Sequence, residues 1–129
     1  MGRTATFIMI LVLAGCDGPF FYFAGGAFKG TEGRLTADAV PAESGLIQLE
    51  TRPAEPYSVN LYMVVIDGAV YIDPAEDRTW YQNLKADPNV RVRFDGDDVI
   101  YPARAERVTD PALVAQFEPD RIVMRLVPR

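Results

Sequence analysis

Apolar and polar residues alternate over most of the chain after residue 45, with the period of two that is typical of half-buried strands. The longest alternating stretch is residues 57–66, and Asp67-Gly68 joins it to a second stretch at residues 69–73. A two-residue Asp-Gly connection between such stretches is a strong hairpin signal. Residues 46–51 are also compatible with a strand.

The second half of the chain carries three further strand patterns. Residues 90–94 alternate strictly, which places Arg91 and Arg93 on the outer face of a strand. An Asp-Gly turn then leads into a strand predicted at residues 99–108, and residues 122–127 are predicted to form the last strand.

Two short helices interrupt the strands. Residues 73–76 (Asp-Pro-Ala-Glu) resemble a cap, a first-turn proline and a capping-box acid, and they predict the start of the first helix. Trp80 and Leu84 lie four residues apart, so we expect them to share its buried face. The helix should end at residues 87–88 (Asp-Pro). A second helix is predicted to begin at residues 110–111 (Asp-Pro).

Strands linked by hairpins, with only two helices, indicate a mainly β domain. Closure into a small antiparallel barrel is the usual way in which such a sheet removes its edges. We therefore expect residues 45–129 to form one barrel domain.

The N-terminus resembles a bacterial lipoprotein signal. Arg3 supplies a positive charge, residues 7–13 are apolar, and the sequence Leu-Ala-Gly-Cys ends at Cys16, the only cysteine of the chain. The resemblance implies that residues 1–15 are a signal peptide and that Cys16 is lipidated. The alternative, an uncleaved transmembrane helix, needs about 20 apolar residues, and Asp17 and Pro19 interrupt the run.

Residues 16–44 are predicted to be a lipidated segment and linker. They contain the aromatic cluster at residues 20–23 (Phe-Phe-Tyr-Phe). These rings could lie at the membrane interface or pack on the domain as an early strand. Packing is the favoured alternative, because Phe28 and Leu35 continue the apolar pattern.

Charge and composition exclude several classes of function. Arg3 is the only charge before Cys16, so 12 of the 13 Lys and Arg residues remain after processing, against 18 Asp and Glu, which is a net charge of −6. Such a surface repels phosphate backbones and argues against nucleic-acid binding. The chain has no histidine, which excludes Ser-His-Asp chemistry and histidine metal sites. We predict no metal site.

One stretch resembles a known family. Residues 80–90 have the pattern W-x-x-N-L-x-A-x-P-x-V, and a strand containing Tyr-Pro-Ala-Arg-Ala follows at residues 101–105. Together they resemble the deazaflavin-dependent nitroreductase branch of the pyridoxamine-phosphate-oxidase-like split-barrel proteins. The resemblance implies a six-stranded Greek-key split β-barrel, commonly dimeric, that holds FMN or a deazaflavin (F420-type) for hydride transfer.

The resemblance also implies a group of candidate cofactor-binding residues. In the stretch that corresponds to the family's phosphate-binding strand, the side chains that could contact the cofactor are Arg52, Tyr57, Ser58 and Asn60, and the tryptophan of the helix motif is Trp80. Two of these residues have a plainer alternative: Arg52 could form a surface ion pair, and Trp80 could belong to the core. No catalytic residue is predicted.

Together, the two resemblances imply a membrane-anchored, flavin- or deazaflavin-binding redox protein on the outer face of the cytoplasmic membrane. The alternative is a non-catalytic envelope lipoprotein whose barrel binds another small ligand or a protein partner. A homodimer is expected from the family resemblance, and nucleic acid is not expected as a partner.

Overall fold

The computed structural model describes residues 18–129, so the predicted signal peptide and the lipidation site at Cys16 lie outside the described residues. Six strands and two α-helices follow one another: β1 Gly45–Thr51, β2 Tyr57–Ile66, β3 Ala69–Ile72, α1 Thr79–Ala86, β4 Asn89–Phe94, β5 Tyr101–Arg107, α2 Pro111–Val114 and β6 Met124–Pro128. A short 3-10 helix at Ala37–Ala39 precedes β1.

The six strands form a closed antiparallel barrel in the order β1-β2-β3-β6-β5-β4. Ile47 of β1 lies opposite Leu61 of β2 on one side and Phe94 of β4 on the other. The turn between β2 and β3 has positive φ angles at Asp67 (49°) and Gly68 (73°), as a two-residue hairpin requires. The prediction of a mainly β, six-stranded barrel with two short helices is confirmed.

The barrel interior contains the alternating apolar positions of the strands. β4 is the clearest case, because its even-numbered side chains are buried and its odd-numbered ones are half-buried. The fully buried side chains of the interior include Ile47, Leu49, Met63, Val70, Ile72, Val90 and Val92.

Helix α1 begins later than the sequence predicts. Residues 73–76 are not helical, and α1 starts at Thr79. The reason is tertiary: the Pro74 side chain is fully buried, its carbonyl accepts a hydrogen bond from Ile122 N at 3.4 Å, and the Asp73 carbonyl accepts one from Arg121 Nη1 at 3.2 Å. These contacts hold the start of the stretch against the segment before β6, in a conformation that is not helical.

The buried face of α1 also differs from the prediction. Leu84 is buried, but its partner on that face is Tyr81, and Trp80 is only half-buried against the core. Tyr81 and Leu84 lie three residues apart, and residues spaced by three share a helix face just as residues spaced by four do. The helix ends before Asp87, as predicted.

The segment before β1 lies on the outside of the barrel. Gly25 and Ser58 exchange two backbone hydrogen bonds of 2.9 and 3.0 Å, and the side chains of Phe28 and Leu35 are buried. The aromatic side chains at residues 20–23 are 62–103% exposed, so the prediction that they pack on the domain is wrong. Within residues 18–129, no helix has the length and apolar character to cross a membrane.

Candidate functional site

A cleft in the described part of the chain has a volume of about 760 Å³, which is within the usual range for ligand pockets. Four parts of the chain form its walls: the exposed aromatic turn at residues 21–23, strand β2, residues 73–80 at the start of α1, and the segment after α2. These four parts are separated in the sequence. The folded barrel brings them together to form the cleft.

Aromatic rings make up much of the lining. Tyr57 and Tyr62 come from β2, Trp80 from the first turn of α1, and Phe117 from the segment after α2. The ring of Phe117 packs against that of Tyr71, with ring centroids 6.1 Å apart. Rings on several sides of one cleft offer flat apolar surfaces to a planar conjugated ligand.

The charged residues of the cleft are three acids and two arginines. Arg121 Nη2 lies 3.8 Å from the Glu118 carboxylate, so part of its charge is offset within the protein. Burial raises the pKa of the Asp73 carboxyl above its ordinary value, although the positive charge of Arg121 opposes this shift. The remaining charged residues are Asp77 and Arg78.

Three of the five predicted cofactor-binding residues line the cleft: Tyr57, Asn60 and Trp80. Asn60 also has a structural contact, because its Nδ2 donates a hydrogen bond of 3.0 Å to the Phe21 carbonyl and thereby holds the aromatic turn against β2.

The other two predicted residues lie outside the lining. Ser58 is fully buried, and its hydroxyl donates a hydrogen bond of 2.8 Å to the Gly26 carbonyl. Arg52 lies at the turn between β1 and β2, where its Nε donates to the Glu55 carbonyl at 3.1 Å. Its guanidinium lies 5.4 Å from the ring centroid of Tyr57, so it adjoins the cleft through that ring.

Sequence reasoning missed several residues of the cleft. Arg78 directly precedes α1, whereas the helix start predicted at residue 73 would place it inside the helix, and Phe117 follows α2. Tyr62 of β2 is 59% exposed and lines the cleft. No local signal links these positions, because they converge only in the folded barrel.

The asparagine of the helix motif has a structural partner. Asn83 is buried, and its Nδ2 donates a hydrogen bond of 3.0 Å to the Thr51 hydroxyl. Thr51 in turn donates to the Tyr57 carbonyl at 3.0 Å. This chain of bonds fixes α1 to the start of β2, and so sets the position of Trp80 relative to Tyr57.

No family model and no curated protein matches this chain. Among solved structures, a candidate pyridoxamine 5'-phosphate oxidase from Listeria innocua is similar, with a TM-score of 0.54 and 13% identity over 65% of this chain and 83% of that one. A conserved hypothetical protein from Mycobacterium tuberculosis is similar with a TM-score of 0.53 and 22% identity over 72% of this chain and 78% of that one. At these identities the similarity concerns the fold alone. The chain therefore has a split-barrel fold like that of pyridoxamine-phosphate-oxidase-like proteins.

Proposed function

We propose that this protein binds a flavin-type cofactor, FMN or a deazaflavin, in its aromatic cleft and takes part in redox chemistry. The observation that carries the proposal is the convergence of Tyr57, Tyr62, Trp80 and Phe117 on one cleft of about 760 Å³. The fold supports it, since a similar barrel occurs in a candidate pyridoxamine 5'-phosphate oxidase. Such a cofactor, when bound, supplies the hydride transfer that the chain's own side chains cannot perform.

The lining fits the ring system of the cofactor. Trp80 and Tyr57 would bind the flat ring by stacking and exclude water from its faces. Asn60 would hold the aromatic rim in place through its bond to the Phe21 carbonyl. The protein's contribution is to bind and orient the ring.

Few side chains at the cleft could bind the anionic phosphate group of the cofactor. Arg78 is the cation of the lining that has no carboxylate partner among the described ion pairs, and Arg52 adjoins the lining through Tyr57. We propose Arg78 as the principal contact of a phosphate group, with Arg52 as a second. A charge-assisted hydrogen bond to phosphate contributes about 1.5–3 kcal/mol.

Titration of the full-length protein with FMN, riboflavin and a deazaflavin tests the proposal. Trp80 is the only tryptophan of the chain and lines the cleft, so binding should quench its fluorescence. Arg78→Ala should weaken FMN binding about 10- to 150-fold and leave riboflavin binding unchanged. Arg104→Ala, at an exposed arginine of β5 outside the cleft, is the matched control. Absence of quenching at millimolar concentrations of all three ligands would contradict the proposal.

The acidic residues of the cleft favour a second candidate function. Asp73, Asp77 and Glu118 outnumber the two arginines of the lining, and this balance suits a neutral or cationic planar ligand better than a nucleotide. In that case the protein is a binding module of the cell envelope without redox activity. Binding of a cationic aromatic dye with micromolar affinity, with no binding of FMN or a deazaflavin, would support this function.

We further propose that a lipid on Cys16 anchors the protein to the outer face of the cytoplasmic membrane. The support is the lipobox-like sequence that ends at Cys16. Two acyl chains give stable attachment, whereas a single chain is marginal. Cys16→Ser should leave a larger precursor that takes up no labelled fatty acid, and Ala14→Gly, which keeps a small residue before the cysteine, should be processed normally. Normal processing of Cys16→Ser would contradict the anchor.

A further inference from the structure

Four consecutive aromatic side chains are exposed on one turn at residues 20–23. Their exposed fractions are 62% for Phe20, 71% for Phe21, 103% for Tyr22 and 73% for Phe23. Large contiguous apolar patches on a protein surface usually mark an interaction site. These rings contribute little to the core, whereas Phe28 in the segment that follows is buried.

The turn is held firmly. Phe20 and Phe23 exchange two backbone hydrogen bonds of 3.0 and 2.8 Å, and the rings of Phe20 and Phe21 pack edge to face at 4.6 Å. Asn60 on β2 binds the Phe21 carbonyl at 3.0 Å, and the two hydrogen bonds between Gly25 and Ser58 fix the chain just beyond the turn. The rings are therefore displayed by the barrel at a defined position.

We propose that this aromatic turn inserts into the headgroup region of the bilayer to which Cys16 tethers the chain. The inference rests on the lipid anchor proposed above. Phe20 follows Cys16 by four residues, and four extended residues span at most about 14 Å. A lipid on Cys16 thus keeps the start of the turn within about 14 Å of the lipidated residue, so the rings can reach the membrane interface, where aromatic side chains are favoured.

The composition of the turn suits contact with lipid through aromatic rings rather than through charged side chains. Residues 20–23 carry no charged side chain, and the processed chain has a net charge of −6, which anionic headgroups repel. Phe21, Tyr22 and Phe23 also form one rim of the cleft. With the turn inserted, the cleft opens at the membrane surface.

Tryptophan fluorescence in vesicles tests this arrangement on the full-length, lipid-modified protein. The vesicles contain phosphatidylethanolamine and phosphatidylglycerol, with a quenching lipid brominated on the upper part of its acyl chains. Trp80→Phe removes the native tryptophan, and Tyr22→Trp places one in the turn. Glu43→Trp is the control, because Glu43 is exposed and adjoins Ser44, whose hydroxyl accepts a hydrogen bond from Val65 N.

The control position lies far from the turn. Val65 is five residues along β2 from Asn60, which is about 16 Å. The brominated lipid should cause a loss of fluorescence in the Tyr22→Trp variant, because an inserted ring lies about 5–10 Å into the headgroup and acyl boundary, and should leave the fluorescence of Glu43→Trp unchanged. Equal quenching of the two variants overturns the inference.

Further measurements separate the other outcomes. If Trp80→Phe impairs folding, the difference between the Tyr22→Trp protein and the wild type gives the same comparison. Sedimentation that shows a dimer, with the Tyr22→Trp probe protected from the brominated lipid, would mean that a second copy covers the turn, and would overturn the inference. An unmodified mass at Cys16 would overturn the anchor itself, whereas a lipidated protein with an unquenched turn would overturn only the insertion.

Discussion

The Glu50 carboxylate and the Arg91 guanidinium form a two-point ion pair across β1 and β4, with Nε–Oε1 and Nη2–Oε2 distances of 2.8 Å each. The same two side chains hold the N-terminal segment, because Glu50 accepts a hydrogen bond of 2.6 Å from Phe28 N and Arg91 donates one of 3.0 Å to the Phe28 carbonyl. The hydrogen bond to Glu50 raises the pKa of Arg91 further above its ordinary value. This ion pair therefore helps to attach the segment that carries the aromatic turn, together with the hydrogen bonds between Gly25 and Ser58.

Replacement of this carboxylate should destabilise the fold. Glu50 is only 3% exposed, and removal of one partner of a buried ion pair costs about 3–5 kcal/mol. Because the Arg91 side chain is 21% exposed, we expect Glu50→Gln to lower the free energy of unfolding by about 3 kcal/mol. Glu118→Gln, which removes an exposed pair with Arg121, should cost less than about 1 kcal/mol. Denaturant melts of the two variants provide the comparison, and equal losses would contradict it.

The two helix residues Trp80 and Leu84 should differ in their contribution to stability. Leu84 is 3% exposed, so Leu84→Ala should lower the free energy of unfolding by about 2–5 kcal/mol. Trp80 is half-buried at the cleft, so Trp80→Ala should cost less than the roughly 3–5 kcal/mol of a fully buried ring. Circular dichroism melts measure both values. A larger loss for Trp80→Ala would place the ring in the core.

Asp73 makes the stability of the fold depend on pH. Burial raises the pKa of its carboxyl in the folded state above the ordinary 3.8, so the folded protein holds the proton more tightly than the unfolded chain. The group therefore favours the folded state below pH 3.8, and this contribution is lost as the pH rises through the folded-state pKa.

Asp73→Asn should consequently be more stable than the wild type at neutral pH, by less than about 1 kcal/mol because the side chain is partly exposed. The difference should shrink as the pH falls towards 3.8. Melting temperatures of both proteins between neutral and acidic pH measure it. A variant that is less stable at neutral pH would show that the ionised carboxylate is favourable.

Gly25 should tolerate no side chain, because a Cβ atom there would collide with the carbonyl group of Gly18 and lie 2.6 Å from Pro19 N. Gly25→Ala should displace the N-terminal segment, at a cost of about 1–3 kcal/mol, and should speed tryptic cleavage after Lys29. Gly45→Ala is the control, since no atom lies within 4 Å of its Cβ position. Similar cleavage rates for the two variants would mean that the close contact between Gly25 and Gly18 does not hold the segment.

A comparison of Arg52 and Arg78 should locate the phosphate of a bound cofactor. Arg52 already donates its Nε to the Glu55 carbonyl, whereas Arg78 is part of the cleft lining. We expect Arg78→Ala to weaken FMN binding more than Arg52→Ala does. Loss of a charge-assisted hydrogen bond to the phosphate can weaken binding up to about 150-fold. Calorimetric titration with FMN and riboflavin measures both. A larger effect of Arg52→Ala would place the phosphate at the turn between β1 and β2.

The sequence alone determined those parts of the fold that depend on local interactions. Alternation predicted the β2 strand with the bounds Tyr57–Ile66 that the structure has, and Asp67-Gly68 predicted its hairpin. The Asp110 side chain accepts a hydrogen bond of 3.0 Å from Ala112 N, so the second helix begins where its cap was predicted. In each case the residues that specify the structure lie within a few positions of it.

The tertiary structure decided the remaining features, because they depend on contacts between residues distant in sequence. Glu50 and Arg91 are 41 positions apart, and burial of Pro74 near Ile122 prevented the helix start that its local pattern favours. Periodicity shows which face of a strand is apolar, but it does not show what covers the other face. For that reason the burial of Ser58, the exposure of the aromatic turn and the convergence of Trp80 with Phe117 on one cleft emerged only with the closed barrel.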